Sequence, residues 1–433
     1  MTFSWKSLRM KKMAEEKNNQ VRFIEGRKIA PIFILGGLFI RFLLMPLSTH
    51  NDLLSSIRRQ SLFIFNHFFN VGKFSEVILI PYLWLIKPLI SKLPDALQLS
   101  NIQQSSVSFA ELQNFLLSAN ALNYLFLFKA PYLIFDLLFL VVIFKYFSQN
   151  RKTRNYAIAF WAFNPLILYS VYLWGRYEII PISLLALSFL LASRKQPVLT
   201  ILIAGLAVAT RVSFILFLPL LIIYFSKNYK DYIINSLFAV LPLAIISRFI
   251  SLGGASSIVS SASSADFGQF FLSMKIGNDF SLASIFVLAY PVLLYIYYRL
   301  KREANFNQLL KFLFLASVAY FLFGYFNPHY LVWMTPMLIF ILPERPKFFW
   351  YFILLVIFYL LFIESFWGTA VSWQLFIPAN QSFFLSVGGI YQQPPILSFG
   401  LPSARILVRS LFDLSLIFIA YKIYFNFDEK KSE

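Results

Sequence analysis

Ile29-Ala-Pro-Ile-Phe-Ile-Leu-Gly-Gly-Leu-Phe-Ile-Arg-Phe-Leu-Leu-Met-Pro-Leu-Ser48 is the stretch that decides the fold class. Wound as a helix it rises about 30 Å, the thickness of a bilayer's hydrocarbon core. It carries one charge, Arg41, and no small-residue cleavage site, so it reads as a retained span rather than a signal peptide. Ahead of it, residues 1–28 hold eight basic side chains against Glu15, Glu16 and Glu25. Positive charge gathers on the cytoplasmic side of a membrane. This basic tail is therefore expected in the cytoplasm, and Asp52, just past the span, on the opposite face.

Apolar runs of similar kind follow at 125–147, 156–173, 178–193, 232–250, 281–299, 308–326, 330–344, 348–365 and 404–423. With the first run they predict an all-α polytopic membrane protein of about 10 spanning helices. Composition agrees: 59% of the 433 residues are hydrophobic, 13% are charged, and the mean hydropathy is +0.69. Soluble chains carry about 25% charged residues. The net charge of +19 sits in short clusters between apolar runs, as in cytoplasmic turns, and no long basic run suggests a nucleic-acid groove. The absence of cysteine excludes disulfides, thiol chemistry and Cys-ligated metals. No Walker A sequence, no GxGxxG and no His/Asp/Glu cluster with metal spacing occurs, which argues against an ATP-driven pump and predicts neither metal nor cofactor.

Sidedness settles two ambiguous segments. The basic clusters Arg151/Lys152/Arg154, Arg194/Lys195, Lys227/Lys230, Arg299/Lys301/Arg302 and Arg345/Lys347 all belong inside. One crossing over 198–224 would put Lys227 and every later cluster outside, so two half-helices folding back near Thr210–Arg211 are expected instead. Broken backbone at that depth is tolerated where it is buried or lines a wet cavity. A crossing over Val77–Leu93 would likewise place 94–124, which has no Lys or Arg, in the cytoplasm. An amphipathic helix on the outer surface is expected there, with Tyr82, Trp84, Lys87 and Lys92 at the interface. The organisation that results is a cytoplasmic tail (1–28), a module of spans over 29–345 with an external loop at 49–124, a C-terminal part over 346–423 with an external loop at 366–403, and a second tail at 424–433. A stretch at 251–280, Ser-rich over Ser256–Ser264, also falls outside, so any chemistry is expected on that face. Asn380-Gln-Ser382 is a glycosylation sequon in a loop placed there.

Charged residues inside a membrane are functional candidates by default. Arg211 stands within an apolar run at the hairpin tip, where a guanidinium wants a carboxylate or a phosphate. Arg41 either snorkels outward or reaches an anionic headgroup. Lys129 and Asp136 are two helical turns apart and share a face, for which a bundle contact is the plain explanation. Asp52, in Ser48-Thr49-His50-Asn51-Asp52, is a solvated cap or a working carboxylate. Arg176 and Glu178, in Trp174-Gly175-Arg176-Tyr177-Glu178, occupy a short outer turn, with Trp174 and Tyr177 in the aromatic belt. His329, in Phe326-Asn327-Pro328-His329-Tyr330, is one of three histidines, with His50 and His67.

Taken in order, these pieces resemble the GT-C superfamily of polytopic glycosyltransferases, nearest to the polyprenyl- or dolichyl-phosphate-mannose-dependent mannosyltransferases of glycosylphosphatidylinositol and phosphatidylinositol-mannoside synthesis. The likeness is carried by Arg41 to Asp52, by Lys129-Ala-Pro-Tyr-Leu-Ile-Phe-Asp136, and by Phe163-Asn164-Pro165 followed by Trp174-Gly-Arg-Tyr-Glu178. It continues through Gly205-Leu-Ala-Val-Ala-Thr-Arg211 with Pro219 and Asn327-Pro-His-Tyr-Leu-Val-Trp333 with Pro336. It covers roughly residues 29–345. It implies that Asp52 is the catalytic base and that His329 helps hold the donor phosphate. With it we expect Arg211, Tyr330 and Arg41 at that phosphate, and His50, Arg176 and Glu178 beside the acceptor or supporting the site. The chain departs from the family in having Glu178 where Asp is usual and Arg211 where Lys is frequent.

The resemblance thus predicts transfer of a sugar, mannose by family, from a polyprenyl-phosphate donor to a hydroxyl of a glycolipid or lipid-linked oligosaccharide on the extracytoplasmic face of the plasma membrane or endoplasmic reticulum. One displacement assisted by one carboxylate inverts the anomeric centre. The expected partners are membrane lipids, the lipid-linked donor and the acceptor, and no nucleic acid. A secondary transporter or lipid flippase is the alternative, since transporters also use buried charges and broken helices; no inverted repeat is visible. A non-catalytic membrane subunit is the third reading.

Overall fold

A computed structural model describes residues 29–66, 74–97, 107–252, 285–300, 305–324, 327–384 and 402–426. Among them every regular element is helical. Six helices are long and apolar enough to cross a membrane: α1 (Ile29–Leu47), α5 (Ala121–Tyr146), α6 (Arg151–Leu173), the first part of α10 (Tyr229–Leu252), α12 (Phe306–Phe323) and α14 (Pro346–Trp367). The chain is a multi-pass helical membrane protein. The basic tail 1–28, the Ser-rich stretch 256–264, His67 and residues 427–433 lie outside the described residues, as do residues 385–401 of the expected loop 366–403.

Four expected crossings fall on helices that are shorter or more charged. These are α7 (Ile179–Ser193), α11 (Ile285–Leu300), α13 (Tyr330–Glu344) and α15 (Pro402–Asn426). The 15 residues of α7 rise only about 22 Å. Being buried on nearly every side, α7 meets protein rather than lipid, packing against α5, α8 (Pro197–Thr210) and α13. α15 carries Arg409, Asp413 and Lys422 along its length. The segment 198–224 is broken where the sequence places the break. α8 ends at Thr210, Arg211 takes an extended conformation (φ −150°, ψ 103°), and α9 (Val212–Phe225) packs back onto α8.

The described part of 49–124, expected as an external loop with one amphipathic helix over Val77–Leu93, forms a helical layer whose core is shared with α5. It comprises α2 (Asn51–Asn66), α3 (Phe74–Leu85) and α4 (Phe109–Leu116), and α4 opens on a Ser108/Glu111 capping box. Leu53, Leu54, Ile57, Leu62, Leu83, Ile90, Leu112 and Phe115 pack together with Leu125 and Phe128 of α5. These apolar residues recur at helical spacing, which is what a packed layer needs and a solvated loop does not. Within α3 and the short turn after it (Lys87–Ile90), Trp84 and Leu85 are exposed. Tyr82 and Lys87, expected at the interface, instead donate to the carbonyls of Leu127 and Ile64 at 2.9 and 3.0 Å.

Between lipid-embedded helices, close packing and interhelical hydrogen bonds replace the hydrophobic drive of water. Gly37 shows this on α1: a Cβ there would lie 2.8 Å from Ala162 of α6, so α1 and α6 approach closely. One turn on, Arg41 crosses the same contact to Asp136 of α5.

Candidate active site

α1 and α6 finish side by side. Ser48 Oγ donates to the Tyr172 carbonyl at 2.9 Å, and Lys129 of α5 donates to the carbonyls of Ser48 and Tyr172 at 2.5 and 2.6 Å. A buried lysine side chain thus bridges two helix ends, donating to carbonyls left over there. From these ends the chain runs directly into the two candidate turns. After Ser48, His50 and Asp52 open α2, and the Asp52 N–H donates to His50 Nδ1 at 3.2 Å. The last residues of α6, Leu168–Leu173, form a π-helix, with the Trp174 N–H reaching Tyr169 O at 2.9 Å. Single π turns in α-helices often mark functional sites. This one delivers Trp174-Gly175-Arg176. Gly175 sits at φ +86°, and a Cβ there would lie 2.8 Å from Leu53, so only glycine lets the turn lie against α2.

Two carboxylates anchor the cluster. Asp52 Oδ2 lies 3.2 Å from the Arg176 guanidinium, 3.3 Å from Trp174 Nε1 and 3.5 Å from His50 Nδ1. Glu178, wholly buried, accepts from Trp333 Nε1 at 2.9 Å and faces His329 Nε2 at 3.6 Å and Arg211 at 3.8 Å. The aromatic rings join the two halves. Trp174 lies 4.2 Å from His50 and 5.2 Å from His329, and Arg211 stacks 4.6 Å above Tyr330. Tyr330 stacks in turn on Trp333 at 4.2 Å.

Burial alone would raise the Asp52 pKa, but contact with His50 and the Arg176 charge outweigh it and hold the carboxyl well below the usual carboxylate range. Burial first, and then the Arg176 and Arg211 charges, push His329 well below its ordinary value, so its ring is neutral at pH 7. Both ring nitrogens of His329, Arg176 Nε, Arg211 Nε and Glu178 Oε1 are buried without a hydrogen-bond partner in the protein. Buried polar atoms are paired in the large majority of cases. Five such atoms in a single cluster, with Glu178 Oε1 and His329 Nε2 3.6 Å apart, leave hydrogen-bonding capacity for a group from outside the chain. Among the described residues no group of three or more His, Asp or Glu side chains is gathered to hold a metal.

The structure therefore brings together Asp52, His50, Arg176, Glu178, Arg211, His329 and Tyr330. Arg41, expected at the donor phosphate, stands apart. It is wholly buried, bonded to Asp136 at 2.5 Å and to the carbonyls of Gly37, Ala162 and Trp161 at 3.0, 2.8 and 2.9 Å. Trp161 and Tyr172 complete the Asp136 carboxylate at 2.6 Å each. Four of the five N–H groups of this guanidinium are engaged within the bundle, which leaves a phosphate at most one. Trp174 and Tyr177 are also not belt residues, since both are buried, at 4% and 2% exposure. Arg211 finds its carboxylate in Glu178 rather than Asp52. Sequence reasoning assigned no role to Trp333, although it lies four residues after His329, on the same side of a helical turn. It also missed the segment after α14. There Val371 O accepts from Tyr169 OH at 2.8 Å and Leu375 O from the Thr49 N–H at 2.8 Å, which brings 371–375 onto both walls of the site.

No protein-family model, curated protein or solved structure matches this chain. The function has to be argued from the site.

Proposed function

We propose that the chain is an inverting glycosyltransferase of the GT-C type, with ten crossings and its site on the extracytoplasmic face. It would move a sugar, mannose by resemblance, from a polyprenyl- or dolichyl-phosphate donor to a hydroxyl of a glycolipid or lipid-linked oligosaccharide. The observation that carries this reading is the pairing of one partly open carboxylate, Asp52, with a buried cluster of cations and unpaired donors from three other chain segments. An acceptor hydroxyl needs a carboxylate to take its proton, help worth about 10²–10⁴-fold in rate. The departing lipid phosphate needs preorganised donors, which Arg176, Arg211 and His329 would supply. Neutral His329 donates one ring N–H to such an oxygen without adding charge.

The resting ion pairs also bear on the chemistry. Asp52 and Glu178 balance Arg176 and Arg211, so an entering phosphate draws the guanidiniums away from the carboxylates. Losing Arg176 raises the Asp52 pKa and makes it a stronger base only once the donor is bound. The attacking oxygen then forms its bond to the anomeric carbon while Asp52 receives its proton, and the C–O bond to the phosphate breaks with both electrons going to the phosphate.

The test is transfer of labelled mannose from a short-chain polyprenyl-phosphate donor to a membrane lipid extract. Asp52→Asn should lose at least about 10²-fold in turnover while remaining folded and keeping donor binding. Undiminished turnover would remove Asp52 from the role. A transporter reading draws on the broken helix pair around Arg211. Protein-dependent passage of the donor lipid between leaflets, with no labelled product, would favour it.

A further inference from the structure

Two stretches of chain far apart in sequence meet around a cavity. The end of α4, the turn after it and the start of α5 supply Leu116, Ser118, Ala119 and Asn123, the chain after Trp373–Phe376 supplies Ile377 and Gln381, and a cavity of about 350 Å³ lies between them. That volume falls within the ~300–1,000 Å³ usual for small-molecule sites. No ionisable side chain lines it. Its polar groups are the hydroxyl of Ser118 and the amides of Asn123 and Gln381. Ser118 Oγ is buried without a hydrogen-bond partner in the protein. Asn123 stands in the first turn of α5, whose leading N–H groups have no acceptor within the helix; the side chain of Asn120, the capping residue, accepts from none of them. On the opposite wall Asn380 Oδ1 accepts from Ser382 Oγ and from the Phe383 N–H, both at 3.1 Å, which closes the turn bearing Gln381.

Uncharged donors and acceptors set among Leu, Ala, Pro and Ile surfaces match the hydroxyls and C–H faces of a neutral sugar ring. They offer a phosphate no cation. Position fits as well. Ile377 is two residues from Leu375, whose carbonyl holds the Thr49 N–H at 2.8 Å, three residues before Asp52. By chain reach Ile377, on the cavity wall, is no more than about 24 Å from Asp52, a span that a few linked sugars cover.

We propose that this cavity binds a neutral ring of the acceptor glycan while the Arg176, Arg211 and His329 cluster takes the donor phosphate. The word "acceptor" rests on the transferase reading; the binding of a sugar ring does not.

The experiment uses the full chain in lipid nanodiscs and octyl mannoside carrying a diazirine at C6. Photolabel is expected on residues 116–123 or 377–381, displaced by excess octyl mannoside but not by octanol. Ala119→Trp, which fills the cavity from an exposed turn, is expected to lower that labelling about tenfold, as is Gln381→Leu. Absence of label from both segments, or label indifferent to both substitutions, would overturn the proposal. Gln381→Leu, with its melting temperature, keeps the result decisive should Ala119→Trp fail to fold. Decaprenyl phosphate binding is measured on the same preparations and should be unchanged in both variants. If wild type does not bind decaprenyl phosphate, the transferase reading falls, while the labelling still judges the cavity.

Discussion

His329 enters the fold uncharged, and that has a measurable sign. Its pKa is pushed below the ordinary 6.5, so the unfolded chain binds a proton more readily than the folded one. The stability it contributes is complete above pH 6.5 and falls by about 1.4 kcal/mol for each unit below, until the folded-state pKa is reached. Melting temperature should therefore drop between pH 7 and pH 5, and His329→Gln should flatten that slope. Asp52 carries the same sign lower down: its contribution is held above its ordinary 3.8 and is lost only in stronger acid, so it adds nothing to the slope between pH 5 and 7. An unchanged slope in His329→Gln would mean that the ring titrates in the folded protein. At this scale the sequence was most legible at Arg211, because an ionised group in an apolar run needs a partner; Asp52 and His329 were singled out by resemblance, and Arg176 and Glu178 read equally as a plain surface turn. Trp333 was not legible, since an indole in a hydrophobic run looks like any other core residue until its N–H is seen on a carboxylate. Arg41 was misread for a related reason. Charge in a span announces a partner without naming it, and its partner Asp136 lies 95 residues away.

The Arg41–Asp136 pair fastens elements rather than substrates. Removing one partner from a buried pair costs about 3–5 kcal/mol because the other charge is stranded. Arg41→Met and Asp136→Leu should each destabilise by about that amount, and the double variant should recover most of the loss, with donor binding unchanged. Recovery should show in unfolding on the purified protein; an additive double variant would mean that the two residues act separately. The π-helix makes a second prediction at this scale. Gly175→Ala places a Cβ in a left-handed conformation and against Leu53, a strain on the order of 1–3 kcal/mol. It should move Arg176 off Asp52 and lower turnover more than it lowers the melting temperature; equal losses would make the turn a purely structural one. The break at Arg211 was legible because charge parity along the chain demanded it. Of the layer formed by α2, α3 and α4, only a helix over Val77–Leu93 was expected, because the same parity argument reports only which side a segment lies on and is silent about whether it packs.

For the whole molecule, sidedness is the property on which the proposed chemistry depends. The chain contains no cysteine, so single cysteines report accessibility without background. Asn114→Cys, exposed on α4, should react with a membrane-impermeant maleimide on intact cells, and Arg194→Cys, exposed after α7, only after permeabilisation. The reverse pattern would put the cluster on the side where nucleotide sugars are available and remove the need for a lipid-linked donor. The distance along the chain between Arg41 and Asp136 has a consequence of another kind, for synthesis. A guanidinium in the middle of an isolated first span costs about 2.5–3.5 kcal/mol at insertion. Its carboxylate is 95 residues further on. At ~5–20 residues per second the ribosome takes on the order of 5–20 s to deliver it. For that interval the first helix, otherwise apolar enough to cross, holds one unpaired charge, so Arg41 must reach water or a headgroup until the later helix arrives to neutralise it.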